Sequence, residues 1–195
     1  MECTPDGSRQ QTGKTPGKPS VFSASSPDFV EKTDELCYTT AYQDDKEKHM
    51  NELEQEIREH VKKNPFLAHN FMELEHVERD YAVFRLEIRE ESRNPYGMVH
   101  GGALYTLADN ATGAAAHTDG RAYVTQGSHL QLLRNQHEGV IRAKARLRHR
   151  GRSTCLVDVD IVNEQDVLLA TGSFTFFCVD PSILAQKVER EKHHA

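Results

Sequence analysis

The chain has 195 residues, 37% of them hydrophobic, and a formal net charge of −6. That length supports one compact core rather than two full-sized domains with separate sites. The acidic balance argues against nucleic acid as a partner, because phosphate binding needs clustered Lys and Arg to displace counterions. No stretch approaches the roughly 18 uninterrupted apolar residues of a membrane span and no apolar segment follows the N-terminus, so the expectation is a cytoplasmic protein with no membrane partner.

Four of the seven prolines fall within the first 27 residues, among Ser, Gly, Thr, Gln and Lys. Such a composition predicts a disordered leader over 1–43. Met50 begins a segment that reads as a natural start, which would make the leader dispensable or spurious. Cys3 and Cys37 lie in it, and Cys155 and Cys178 lie far away, with no C-x-x-C pair and no matching His spacing. Neither a structural metal nor a disulfide framework is expected.

Over 44–64, Met50, Leu53, Ile57 and Val61 recur at helical spacing and Pro65 closes the run, predicting an amphipathic helix on the core. From Asp80 to Glu90, Ala82, Phe84, Leu86 and Ile88 alternate with Val83, Arg85, Glu87 and Arg89, the pattern of a half-buried strand. A helix bounded by glycine is predicted from Gly101 to about His117, then a strand over Tyr123 to Leu133. Alternation predicts further strands at Val140 to Arg148, around Val157 to Ile161, and at Val167 to Val179. Residues 181–195 read as a tail. Strand, helix, then a meander lacks the repetition of a doubly wound sheet, so the predicted fold class is α+β, an antiparallel sheet around one central helix spanning 65–180.

The central helix carries an apolar stripe of mostly small residues, Ala103, Leu104, Leu107, Ala108, Ala111, Ala114 and Ala115. Asp109 projects away from it, beside Tyr105, Thr112, Gly113 and Ala116, and is the only charge on the helix. It is either a solvated surface carboxylate or a functional one. A face without Lys, Arg or Glu favours burial against a second subunit, where an isolated carboxylate is costly unless it has a task. Gly101 and Gly102 either leave backbone N–H groups open to an oxyanion at the helix's positive end or merely permit a tight turn.

The run from Asn94 to Asp109, N-P-Y-G-M-V-H-G-G-A-L-Y-T-L-A-D, resembles the phenylacetate-pathway branch of hotdog-fold acyl-CoA thioesterases. That pattern has an Asn six residues before H-G-G and a catalytic acid nine after its His, as here. The similarity continues through Val124, Thr125, Leu130 to Arg134 and His149 to Arg152. It implies a hotdog fold acting on acyl-CoA without a cofactor. The Gly101 N–H and the Asn94 side chain would polarise the carbonyl, and Asp109 would act as general base or nucleophile. His100 would orient the Asn94 loop or hold the thioester, or make only a structural hydrogen bond. Thr125 would position water across a subunit interface, with Ser128 the alternative if the register slips; Gly127 and Asn135 depart from the family's usual residues.

Arg142, Lys144, Arg146 and Arg148 form a basic strand face, either solvated or facing CoA. Arg150 and Arg152 are the preferred contacts to CoA phosphates. Tyr96, Met98 and Tyr105 either line an acyl pocket or pack. The family pairs two units into a continuous sheet, implying a homo-oligomer, either a dimer or a dimer of dimers (a homotetramer). Competing readings are a dehydratase or hydratase on the same fold and a non-catalytic acyl-CoA sensor or scaffold.

Overall fold

A computed structural model describes residues 48–183. The leader over 1–43, the first residues of the 44–64 segment, and 184–195 lie outside the described residues.

Helix α1 covers 48–62 and turns Leu53 and Ile57 into the core, with Arg58 and Glu54 paired one turn apart at 2.8 Å on its outer side. Pro65 cannot continue it and instead opens a short second helix, α2 (Pro65–His69), whose first turn is capped by Asn64 Oδ1 accepting from Phe66 N at 3.0 Å. Five residues are too few to announce themselves by periodicity, and α2 is an addition to the expected elements.

Strand β1 (Met72–Glu78) is a second addition. Its pairing with β2 (Tyr81–Glu87) slips between Leu74 and His76, so the inward set is Met72, the partly buried Leu74 and then Val77. This bulge breaks the period of two that would have marked M-E-L-E-H-V-E as a strand. β2 keeps the period: Ala82, Phe84 and Leu86 all point inward and are buried, and Ile88 just beyond its end is buried too.

Helix α3 (Gly101–His117) matches the predicted span. Then follow β3 (Ala122–Leu132), β4 (Val140–Arg150), β5 (Thr154–Asn163) and β6 (Leu168–Val179), giving one six-stranded antiparallel sheet in the order β1-β2-β4-β5-β6-β3. The chain crosses from β2 through α3 to the far edge before returning through the meander. The sheet wraps α3, whose Ala108, Ala111 and Ala115 bury as completely as Ala82, Ala143 and Ala145 of the strands. Small side chains in both layers let helix and sheet approach closely. At Gly172 of β6 an added Cβ would come within 2.2 Å of the His129 carbonyl oxygen, so only glycine allows β3 and β6 to pack this tightly.

The C-terminal end of α3 is tied down by Arg150. Its guanidinium donates to the Ala116 carbonyl at 2.7 Å and to Asp80 Oδ1 at 2.7 Å, and it lies 2.9 Å from Asp119 Oδ2. One cation thus meets the negative end of the helix dipole and two carboxylates. Thr118, fully buried, completes the joint by donating to Ala115 O and accepting from Asp80 N. Arg150→Ala leaves the Ala116 carbonyl and Asp80 without their donor while Arg121 still holds Asp119, and is expected to lower unfolding free energy by roughly 1–3 kcal/mol, read from urea denaturation.

Candidate active site

The loop before α3 shapes itself around Asn94. Its Oδ1 accepts from Tyr96 N at 2.9 Å and Met98 N at 3.2 Å, while Gly97 takes the left-handed conformation that the turn requires. Both acceptor bonds use the oxygen, and the amide Nδ2 has no partner among the described residues.

His100 is the N-cap of α3. Its Nδ1 accepts from Gly102 N at 2.8 Å, so the ring proton sits on Nε2. Of the roles open for His100, the structural hydrogen bond is the one this geometry contains. Capping Gly102 leaves the preceding Gly101 N–H without a partner among the described residues, at the positive end of a 17-residue helix.

Asp109 is half-buried two turns further on. Thr125 Oγ1 donates to its Oδ1 at 2.9 Å, and both side chains belong to the same chain. The strand's period of two puts Thr125 on the face of buried Tyr123, towards α3, and a bulge between Thr125 and Gly127 follows at once. Ser128 is engaged elsewhere, hydrogen-bonded to the hydroxyl of Tyr105. Burial pushes the Asp109 carboxyl above the ordinary carboxylate range, and the Thr125 hydrogen bond partly opposes this.

Asp109 and Thr125 border a cavity of about 550 Å³ that also meets Gly113, His117, Phe176 and the inner side of α1. His117 is held rigid at its wall, with Nδ1 donating to Gly113 O at 2.7 Å and Nε2 accepting from Tyr123 N at 3.2 Å. Neither His117 nor the contribution of α1 to this cavity carries a sequence motif that would announce it. Tyr96, Met98 and Tyr105 are outside its lining. Thr112 and Ala116, expected to face a second subunit, are fully buried within the chain itself.

The two arginines separate. Arg150 is committed to Asp80, Asp119, Ala116 and Tyr123, which corrects its expected role as a phosphate contact: its charge is neutralised inside the fold. Arg152 is exposed. The basic row on β4 is matched by acids: Arg142 with Glu75, Lys144 with Asp166 and Arg148 with Asp158, while Arg146 stacks over the Tyr81 ring. It is a solvent-facing charge lattice.

Gly101 and Asp109 lie on one helix, separated by about 12 Å of axial rise. A single carbonyl must meet its donors at about 3 Å and its attacking group at a similar distance, so one copy of this helix cannot supply both.

Among the described residues there is no group of His, Cys, Asp and Glu suited to a metal ion, and no helix is long and apolar enough to cross a membrane. A family model for the thioesterase superfamily matches residues 96–170. The acyl-coenzyme A thioesterase PaaI of Escherichia coli (strain K12) is 32% identical over 95 residues, 48% of this chain and 68% of that protein. Its solved structure aligns with a TM-score of 0.64 at 24% identity, covering 67% of this chain and 95% of that one, a likeness of fold. The 1,4-dihydroxy-2-naphthoyl-CoA hydrolase of Listeria monocytogenes is 29% identical, covering 62% of this chain and 94% of that protein. A hypothetical thioesterase protein from Streptococcus pneumoniae, solved with coenzyme A, is 34% identical with a TM-score of 0.53, covering 55% of this chain and 85% of that one. It has also been solved with an Asp and, separately, a Thr sixteen positions later replaced by Ala. The chain therefore belongs to the thioesterase superfamily, as a hydrolase of its PaaI-like, hotdog-fold branch.

Proposed function

We propose that this chain hydrolyses acyl-CoA thioesters at a site assembled from two copies, Asn94 and Gly101 of one meeting Asp109 and Thr125 of the other. The observation that carries this reading is the 2.9 Å hydrogen bond from Thr125 to a half-buried Asp109 in the lining of a cavity. The same separation of sixteen residues between an Asp and a Thr in the Streptococcus pneumoniae variants supports it. So does the named chemistry of the relatives, an acyl-coenzyme A thioesterase and a CoA hydrolase.

The need for two copies follows from the distance along α3. It is supported by β3, an 11-residue strand at the sheet edge whose side chains are exposed over most of its length, Val124 and Leu132 among them. Such an edge calls for a pairing partner, and a two-fold axis there joins like strands of two copies. A dimer of this kind is the minimum functional unit.

In the proposed reaction the thioester oxygen accepts from the Gly101 N–H and from Asn94 Nδ2. Thr125 occupies Asp109 Oδ1, which leaves Oδ2 to take a proton from water, and burial makes that carboxylate a stronger base. The resulting hydroxide attacks the carbonyl carbon, the C–S bond breaks, and the proton held by Asp109 passes to the departing thiolate. Arg152, exposed beside the turn after β4, is the remaining candidate for a CoA phosphate.

Asp109→Asn is expected to lower kcat by about a hundredfold or more at unchanged oligomeric state, measured as thiol release from a panel of acyl-CoAs. A wild-type protein that binds but cleaves no acyl-CoA would replace hydrolysis with a sensing role.

Because the folded state holds the Asp109 proton more tightly than the unfolded chain does, the stability this gives is present in acid and is lost as pH rises through the raised pKa. Asp109→Asn, which cannot ionise, should therefore gain in Tm over wild type across that window and hold the gain at neutral pH. In the same window the wild-type kcat/KM should fall as pH is lowered, because a protonated carboxyl accepts no proton.

Asn94→Asp keeps the oxygen that shapes the loop and removes the amide donor. Homo-oligomers of Asn94→Asp and of Asp109→Asn should both be nearly inactive. A statistical mixture of the two, co-expressed, should regain about a quarter of wild-type activity through one intact site per mixed dimer. No recovery would place both halves of the site in one copy.

A further inference from the structure

The cavity beside Asp109 has two unlike regions. Its outer rim carries Glu56, His60, Asn64 and Arg121, whereas its floor is made of Leu53, Ile57, Leu67, Phe84, Ala114 and Phe176, all buried. We propose that this floor, enclosed between α1 and α3, is the pocket for the acyl group, and that Gly113 and Ile57 set the size of the acyl group accepted. The proposal rests on the hydrolase reading above.

The reacting carbon must come within about 3–3.5 Å of its attacking group, which places the carbonyl at the cavity mouth next to Asp109. Two substituents leave that carbon, a hydrocarbon chain and a thioester sulfur bearing the anionic CoA. The floor suits only the first. The cation among the lining residues, Arg121, already donates to Asp119 Oδ2 at 2.6 Å and to the Arg152 carbonyl at 2.9 Å, and Glu56 would repel a phosphate. A volume of about 550 Å³ is within the range of sites that enclose drug-sized ligands, far more than an acetyl group fills.

Gly113 is the more telling residue. It lies one helical turn beyond Asp109, on the same face, in the middle of α3. Glycine weakens a helix interior, and here nothing in the backbone asks for it: its φ is not left-handed, and an added Cβ would meet nothing closer than the Phe176 ring at 3.8 Å, an ordinary contact. Packing therefore tolerates a side chain that the chain does not carry. What the missing side chain leaves is open space in the cavity wall. Across the cavity Ile57 on α1 faces the same space, so a segment that precedes the 96–170 family match supplies one wall of the pocket.

The test compares wild type, Gly113→Ala, Gly113→Val and Ile57→Ala on acetyl-, hexanoyl-, decanoyl- and phenylacetyl-CoA. Thiol release gives kcat/KM, and calorimetry gives the affinity for the matching S-alkyl-CoA thioethers, which cannot be hydrolysed. Gly113→Val is expected to lower the decanoyl-to-acetyl ratio by about tenfold or more in both readouts, and Ile57→Ala to move it the other way. Gly113→Ala, which favours the helix, should move the ratio in the same direction as Val by less and covers a Val variant that fails to fold. A folded Gly113→Val or Gly113→Ala variant whose ratio stays at the wild-type value in both readouts overturns the pocket assignment and leaves hydrolysis standing. A shift in thioether affinity with no cleavage by wild type supports the pocket and removes the hydrolase reading. Wild type that neither cleaves nor binds any of these ligands overturns both.

Discussion

The close contact between α3 and the strands beneath it governs the rest of the molecule. Both layers bury alanines completely, Ala108, Ala111 and Ala115 on the helix and Ala82, Ala143 and Ala145 on the strands, and larger side chains would hold the layers apart. Because the helix sits so low, the sheet can curl around it, and its opposite face points into a narrow space bounded by β3, β6 and α1. Asp109 occupies that face without a cation beside it. Desolvation then raises its pKa, and Thr125 is its hydrogen-bond partner. The charged network that the fold does satisfy, Arg150 with Asp80 and Asp119, is placed at the other end of the helix, where it neutralises the dipole rather than the carboxylate.

A single straight helix also explains why the proposed site needs two copies. The free N–H of Gly101 marks one end and Asp109 lies about 12 Å along the axis, so the two halves of the chemistry are fixed at a distance no side-chain motion closes. For the proposed site the rigidity of α3 is an advantage, since the groups proposed as donors and base would each be held by packing before substrate arrives. In the proposed dimer, a two-fold partner along the exposed β3 edge would convert that fixed separation into two equivalent sites.

Two residues on this face weaken the fold that carries them. Ionised Asp109 opposes burial, and Gly113 loosens the middle of the helix. Both border the same cavity. Sites at which local stability is sacrificed without structural need are where function is expected to reside, and the coincidence of two of them within one turn supports reading that cavity as the place where substrate is held.

How much was legible beforehand depended on periodicity. β2, α3 and the meander β4 to β6 keep a regular alternation or helical stripe, so their residue types alone specified them, with ends displaced by a few residues. The small-residue stripe of α3 and the lone carboxylate opposite it were equally readable, because helical geometry decides which positions share a face. β1 was hidden by its bulge at Glu75, and α2 by its length. Side-chain partnerships were out of reach, since they join residues far apart in the chain: the direct bond from Thr125 to Asp109 of its own copy, Arg150 drawn into a network 70 residues from its Asp80 partner, and α1 forming one wall of the cavity. Local spacing determines where each side chain points from its own element; only the packing of those elements decides what it meets.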